Sequence, residues 1–194
     1  SLRLSNSILT LDSIYLKKRK KNDQLNVSVL LPFRSALINY DSIKEVESLF
    51  EDRNLYTIAL DFYSGFLFAI EDLKKLNISV NVNVFDTENS RNKILQISNN
   101  ENITNSDVII GPIIPRNFET FSNLEFLKSI PKVFPLSTIP INILKGVVQT
   151  VTPRKLLRER MLKYLDENIN KEENIVIIAD SLNQEIESRL INIF

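Results

Sequence analysis

The 194-residue sequence contains no cysteine and no histidine. Without cysteine there is no disulfide framework, no thiolate nucleophile and no thiolate metal site. Without histidine, the commonest general base, the histidine-centred triads and most zinc or iron sites are excluded. Glycine is almost as scarce, at Gly65, Gly111 and Gly146 only. Three such scattered residues cannot build a Rossmann or P-loop phosphate cradle. Lysine plus arginine equal aspartate plus glutamate at 24 each, for a formal net charge of zero, so nothing draws the whole chain toward nucleic acid or anionic lipid. No apolar run approaches the roughly 20 residues that cross a bilayer. This stretch shows no amino-terminal signal peptide, and an opening Ser1 is read as a processed product or an excised piece. The absences predict no catalytic residue, no metal, no cofactor, no nucleic-acid partner and no membrane span. Lack of cysteine fits an oxidising compartment and a reducing one equally.

What is present reads as an ordinary globular chain, 43% hydrophobic and 25% charged. Its length suits one good core, or one and a half small domains. The clearest line is Asp107-Val-Ile-Ile-Gly-Pro112. A short run of β-branched apolar residues after a polar loop and before a helix is a parallel strand covered on both faces. Glycine and proline at its carboxyl end make the sharp turn where open α/β sheets bind ligands.

The remaining elements alternate strand and helix. Val27–Phe33 is a first, central strand, ended by Pro32, which has no amide proton for a ladder. Arg34–Asn54 is a long polar excursion with a short helix at Ser42–Phe50, and loops of that length tend to be functional or mobile. Tyr56–Lys75 is the strongest helix, with Leu60, Tyr63, Leu67 and Ile70 on one stripe and Phe62, Phe66, Ala69 and Leu73 beside it. Gly65 and Ala69 share a face that would let this helix approach the sheet closely. Val80–Asp86 alternates strictly, as at a sheet edge. Ser90 caps a short helix to about Ser98, and the asparagine-rich Asn99–Asn105 is a loop. Pro115 opens a helix buried through Phe118, Phe121, Leu124 and Leu127 and stopped by Pro131. Lys132–Leu136 and Val147–Val151 are further strands. Thr152 then caps, with Pro153 in the first helical position, a basic amphipathic helix whose apolar face is Leu156, Leu157, Met161 and Leu165. Ile175–Ala179 is a sixth strand, and a last helix holds Ile186, Leu190 and Ile191. Residues 1–26 form a separate segment whose Lys17–Lys21 run reads either as an electrostatic contact with phosphate or anionic polymer or as a solvated linker.

In this order the motifs resemble the first lobe of type I periplasmic binding proteins. The resemblance rests on Val27–Phe33, Asp61–Gly65 opening a long helix, Val84–Thr87, Ile109–Pro112 and Val133–Ser137. It is nearest to the binding-protein-like domain of Bacteroidetes envelope proteins that also carry LysM peptidoglycan-binding repeats. Val151–Pro153 and Asn174–Asp180 look like that family's passage into its second lobe. The resemblance implies an α/β, doubly wound, mostly parallel fold. Its parts are a linker at 1–26, a first lobe at 27–152 and an incomplete second lobe from 153 to 194. An incomplete lobe would leave apolar surface near Ile175–Phe194 and a tendency to dimerise.

In that family two lobes close on a small ligand at the strands' carboxyl ends. The resemblance therefore implies a ligand-binding wall of Phe33, Arg34, Pro115, Arg116, Asn117, Ser137 and Thr138. Elementary chemistry points the same way: free amides at a helix start attract anions, Arg116 offers a forked donor, and the Ser137 and Thr138 hydroxyls donate or accept. The blander alternatives are turn chemistry at Ser137-Thr138 and a solvated charge at Arg116. Ile114-Pro115-Arg116 replaces the serines that amino-acid-binding members carry there, which argues against a free amino acid. Asp86–Ser90 lacks calcium-loop spacing, and Asp61 lies too far along the helix from Glu71-Asp72 for an acid/base pair. The expected role is non-catalytic recognition of a small-molecule or peptidoglycan-derived ligand in the periplasm or envelope of a Gram-negative bacterium. Two rivals are a scaffold or regulator contacting cell-wall proteins and a piece of an enzyme whose chemistry lies elsewhere.

Overall fold

The computed structural model describes residues 24–169, 175–178 and 183–193. Its chain divides into two units. The larger runs to Leu136 and takes in Ile141–Thr150, and the smaller holds Ser137–Pro140 and the chain from Val151 onward.

The larger unit is one five-stranded parallel sheet in the order β2-β1-β3-β4-β5. Its strands are β1 (Leu25–Leu31), β2 (Val80–Asp86), β3 (Val108–Ile110), β4 (Lys132–Phe134) and β5 (Val147–Gln149). The helices are α1 (Ile43–Glu51), α2 (Leu55–Lys75), α3 (Arg91–Ser98), α4 (Glu101–Thr104) and α5 (Pro115–Ser122), with short 3-10 turns at Ser35–Leu37 and Glu125–Leu127.

Both faces of β1 are dry because its neighbours are helices on either side. Val27, Val29 and Leu31 pack toward Ala59 and the half-buried Phe62 and Phe66 of α2. Leu30, on the opposite face, joins Ile94, Ile97, Ile109, Phe121 and Leu127. Each such fully buried side chain contributes roughly 1.5–3 kcal/mol by leaving water. A buried serine, Ser28, sits on that second face. Its Oγ lies 2.7 Å from Ser106 Oγ, which donates onward to the Asn102 carbonyl at 2.6 Å. The hydroxyls therefore carry their own hydrogen bonds into the core, where an unmet one would be costly. β2 lies at the sheet edge, as its alternation predicts, and Val84 is 40% exposed there.

Several local expectations need correction. Asn99–Asn105 is not a plain loop: Asn100 caps the Asn102 amide at 2.9 Å and starts the one-turn α4. The helix at Pro115 stops at Ser122, well before Pro131, and Leu127 is buried from a 3-10 turn. Gly65 and Ala69 face outward, and a Cβ added at Gly65 would meet nothing within 4 Å. Helix α2 turns Ala59, Phe62, Phe66 and Ile70 inward, while Leu60, Leu67 and Phe68 remain exposed.

Lys132, the first residue of β4, is 2% exposed. Its Nζ donates to the Ile130 carbonyl at 2.9 Å and to the Leu127 carbonyl, closing off the turn that follows α5. Burial, which disfavours the ammonium, lowers its pKa to about 8.

In the smaller unit, α6 (Arg154–Asn168) follows Pro153, which is itself the capping position and supplies no side-chain bond. On α6 Leu162 is buried and Leu165 half-buried, and the capping residue Ile169 that follows is half-buried as well. Leu156, Leu157 and Met161 are exposed, contrary to expectation. Residues 175–178 form no strand, and Val176 and Ile178 are exposed, because no neighbouring strand among the described residues pairs with them. Ala179 lies outside the described residues, as does the Lys17–Lys21 run. Helix α7 (Gln184–Ile193) closes the described chain. Among the described residues no helix is long and apolar enough to cross a membrane.

Candidate functional site

From β1 the chain passes through α1 and α2 to β2 on one side, then crosses back to β3 on the other. The loops after β2 and β3 therefore rise on either side of the end of β1, at the switch point where open α/β sheets hold ligands.

The loop after β2 is a tight left-handed turn. Glu88 and Asn89 both have positive φ (51° and 52°), and the Ser90 amide closes the turn on the Thr87 carbonyl at 2.8 Å. Left-handed backbone costs a residue with a Cβ roughly 1–2 kcal/mol. Side chains offset that cost. Asp86 Oδ1 accepts the Glu88 amide at 2.8 Å, and Asn89 Oδ1 accepts Asn117 Nδ2 at 2.8 Å. Asp86 also binds the loop after β1, taking the amides of Arg34 at 2.9 Å and Ser35 at 2.8 Å and the Ser35 hydroxyl at 2.8 Å. Partial burial raises the Asp86 pKa, but the hydrogen bonds from Ser35, Glu88 and Arg34 outweigh it and hold the carboxyl below its usual value.

The loop after β3 depends on Gly111. Its φ is +89°, and a Cβ there would stand 2.3 Å from the Leu30 carbonyl oxygen of β1. Only glycine fits so close an approach. Pro115 then occupies the first turn of α5, and the capping residue Ile114 has no side-chain acceptor to offer the opening amides.

These two loops enclose a recess of about 370 Å³ lined by Asn89, Arg91, Ile114, Arg116 and Asn117. Asn117 is buried and held by Asn89. Arg91 is the first residue of α3 and Arg116 the second of α5; both are exposed, and neither forms an ion pair among the described residues. Two helix starts and two guanidinium forks give the recess a positive potential, with the amide groups of Asn89 and Asn117 beside them, suited to a carboxylate or another oxyanion. Among the described residues no group of three or more carboxylates could hold a metal ion.

Of the sequence-derived wall, Arg116 and Asn117 line this recess and Pro115 starts the helix that builds it. Phe33 instead lines a separate apolar recess of about 230 Å³ with Ile38, Tyr40, Phe50, Tyr56 and Leu60, Ser35 being its polar member. Arg34 is left-handed, and its guanidinium carbon lies over the Tyr56 ring, 5.4 Å from the centroid. Ser137 and Thr138 fall in the smaller unit and line neither recess. Ser137 Oγ accepts the Ile139 amide at 3.1 Å, the bond of a serine turn. Sequence reasoning missed Asn89 and Arg91. Their signal was a run of turn formers, Thr87-Glu-Asn89, directly before a capping serine with arginine in the first helical position.

No protein-family model and no curated protein matches the chain. Among solved structures, an ABC transporter substrate-binding protein from Desulfitobacterium hafniense superposes with a TM-score of 0.51 at 16% identity. That match covers 88% of this chain and 47% of the other. An ABC transporter substrate-binding protein from the same organism in complex with Leu gives 0.50 at 14% identity over the same shares. Full-length LpoA from Haemophilus influenzae gives 0.46 at 12% identity over 98% of this chain and 31% of its own, a likeness too slight to carry an argument. At these identities the likeness shows fold alone. The chain is a mixed α/β structure with an all-parallel sheet, matching a lobe of the periplasmic-binding-protein kind, and it spans about half the length of the substrate-binding proteins it matches.

Proposed function

We propose that this chain supplies the first lobe, and from residue 153 the start of the second, of a recognition module in the bacterial cell envelope. It binds an anionic small ligand at the carboxyl edge of its sheet and performs no chemistry itself. The observation that carries this reading is the recess between the starts of α3 and α5, with Arg91 and Arg116 unpaired among the described residues and the α5 amides uncapped. Peptidoglycan fragments, which bear carboxylates on a flexible peptide, are the ligand class in keeping with association with LysM-bearing proteins. The fold match to substrate-binding proteins supports a binding role, since such sheets present ligands at this edge. Thermal-shift titration of muropeptides against neutral sugars and free amino acids is the test. Stabilisation by the anionic set alone, lost in Arg91→Ala/Arg116→Ala, is expected. Stabilisation by none, or a hydrolase activity abolished by substitutions in the same loops, overturns it.

A second reading is favoured by a different observation. The α1–α2 surface exposes Tyr40, Ile43 and Phe68 at 70%, 74% and 69%. Large exposed apolar groups of this kind mark polypeptide contacts, as a scaffold or regulator of cell-wall enzymes would require.

A further inference from the structure

The apolar recess beyond the end of β1 shares no lining residue with the anion site. It lies between the connection after β1, α1 and the first turns of α2. Its floor is held in place. Phe33 is half-buried and meets Tyr63 of α2 edge-on, ring centroids 5.7 Å apart, while Tyr56 carries the Arg34 guanidinium over its ring. Its rim is open: Tyr40 from the connection, Phe50 from α1 and Leu60 from α2 all line it and all are exposed. Single apolar residues scattered over a surface are ordinary, but large ones from separate elements converging on one hollow mark a contact site.

The size of the hollow, about 230 Å³, decides what enters it. Pockets for whole small ligands run from roughly 300 to 1,000 Å³, so this one suits a single large side chain. That side chain is apolar, because the Ser35 hydroxyl already donates to Asp86 at 2.8 Å and the other walls are aromatic and aliphatic.

The surround is acidic. Asp41 adjoins Tyr40, Glu47 precedes Phe50 by one turn of α1, Glu51 and Asp52 follow Phe50, and Asp61 adjoins Leu60. None of these carboxylates has an ion pair among the described residues. Of the cations in the same stretch, Arg34 is engaged with Tyr56, and Lys44 and Arg53 are too few to cancel the excess. The chain as a whole is neutral, so the acidity belongs to this region.

We infer that the recess seats one phenylalanine or leucine side chain of a partner polypeptide whose flanking residues are lysines or arginines. The inference names the partner of the α1–α2 polypeptide surface and rests on that second reading. The anchor gives affinity by leaving water in a preformed hollow. The basic flanks give selectivity, because charges at an interface rim decide which partner is admitted and how fast it arrives.

Fluorescence polarisation of a labelled synthetic peptide, one phenylalanine between pairs of lysines, tests this on the full chain. It should bind about tenfold or more tightly than the same peptide with glutamates, which the rim repels. Salt of about 1 M, which screens charges beyond roughly 3 Å, should remove most of that difference. Serine in place of the peptide's phenylalanine, or Leu60→Glu in the protein, should weaken binding about tenfold or more. Leu60→Glu adds negative charge to the rim, so its effect reads the anchor and not the electrostatics. Asp41→Lys with Glu51→Lys and Asp61→Lys should reverse the preference toward the glutamate peptide. All four positions are exposed, and urea midpoints verify that these variants keep the fold. Arg91→Ala and Arg116→Ala leave binding unchanged, which separates this site from the anion recess. Binding that ignores the peptide's charge, or survives Leu60→Glu, overturns the inference and leaves α1–α2 a polypeptide surface. Binding of neither peptide overturns the inference and that reading together.

Discussion

Asp86, the last residue of β2, accepts the backbone amide of Arg34 at 2.9 Å and so fastens the loop leaving β1 to the neighbouring strand. The same carboxylate takes three further donors, from Ser35 and Glu88. One ionised group thus positions both loops that flank the candidate site. Asp86→Ala should cost roughly 2–3 kcal/mol, since hydrogen bonds to a charged group are the stronger kind but do not add in full. Urea unfolding at neutral pH measures it.

The same group makes the fold sensitive to acid. Its pKa is lowered in the folded protein, so its stabilisation is complete above the unfolded value of about 4 and is lost as pH falls through the lower folded value. Asp86→Asn should remove that part of the acid transition. Comparing urea midpoints of the two proteins from pH 6 down to pH 2 isolates it from the other carboxylates.

Lys132 works in the opposite range. Its folded pKa, about 8, lies below the ordinary value of 10.5. Between those values the unfolded chain holds more protons, so stability should rise with pH across that window and the burden of the buried charge should be full below it. The rise has an upper bound of roughly 3 kcal/mol. Lys132→Met should flatten the rise while leaving the Leu127 and Ile130 carbonyls without their donor. Stability curves between pH 7 and 11 read both effects.

Two glycines should respond in opposite directions. Gly111→Ala places a Cβ 2.3 Å from a β1 backbone oxygen at a positive φ, and should cost about 4 kcal/mol or more or prevent folding. Gly65→Ala meets open space and should stabilise by about 0.5–1 kcal/mol through helix propensity. Thermal melts of the two variants decide this.

Arg91→Ala and Arg116→Ala should each weaken binding of an anionic ligand by about tenfold or more, the worth of a charge-assisted hydrogen bond. Melting temperatures should stay within a degree or two, because both side chains are exposed and unpaired among the described residues. Isothermal titration with a ligand identified by the thermal-shift screen separates the two quantities.

Much of the fold could be read before any coordinates. The β-branched run at Val108–Ile110, the alternation of Val80–Asp86, the stop at Pro32 and the cap at Ser90 all report short-range sterics and hydrogen bonds. The errors share a physical origin. The inward stripe of α2 was drawn from periodicity alone, and its broad apolar surface left two directions open; packing chose Ala59, Phe62 and Phe66 and turned Gly65 outward. Lys132 carries no local sign of burial, because its acceptors are carbonyls of a turn that only the packed chain places there.

The sequence by itself determined that strands would be parallel, that loops would gather at their carboxyl ends, and that no cysteine or histidine chemistry was possible. Those conclusions follow from residue types and spacings within a few positions of one another. Only the tertiary structure decided that Arg91 joins Arg116, that Asn117 reaches across 28 residues to Asn89, and that Phe33 belongs to a different recess. Such pairings depend on which strands become neighbours. In this chain the crossing from β2 past β1 to β3 brings those two loops together, and no local pattern encodes it.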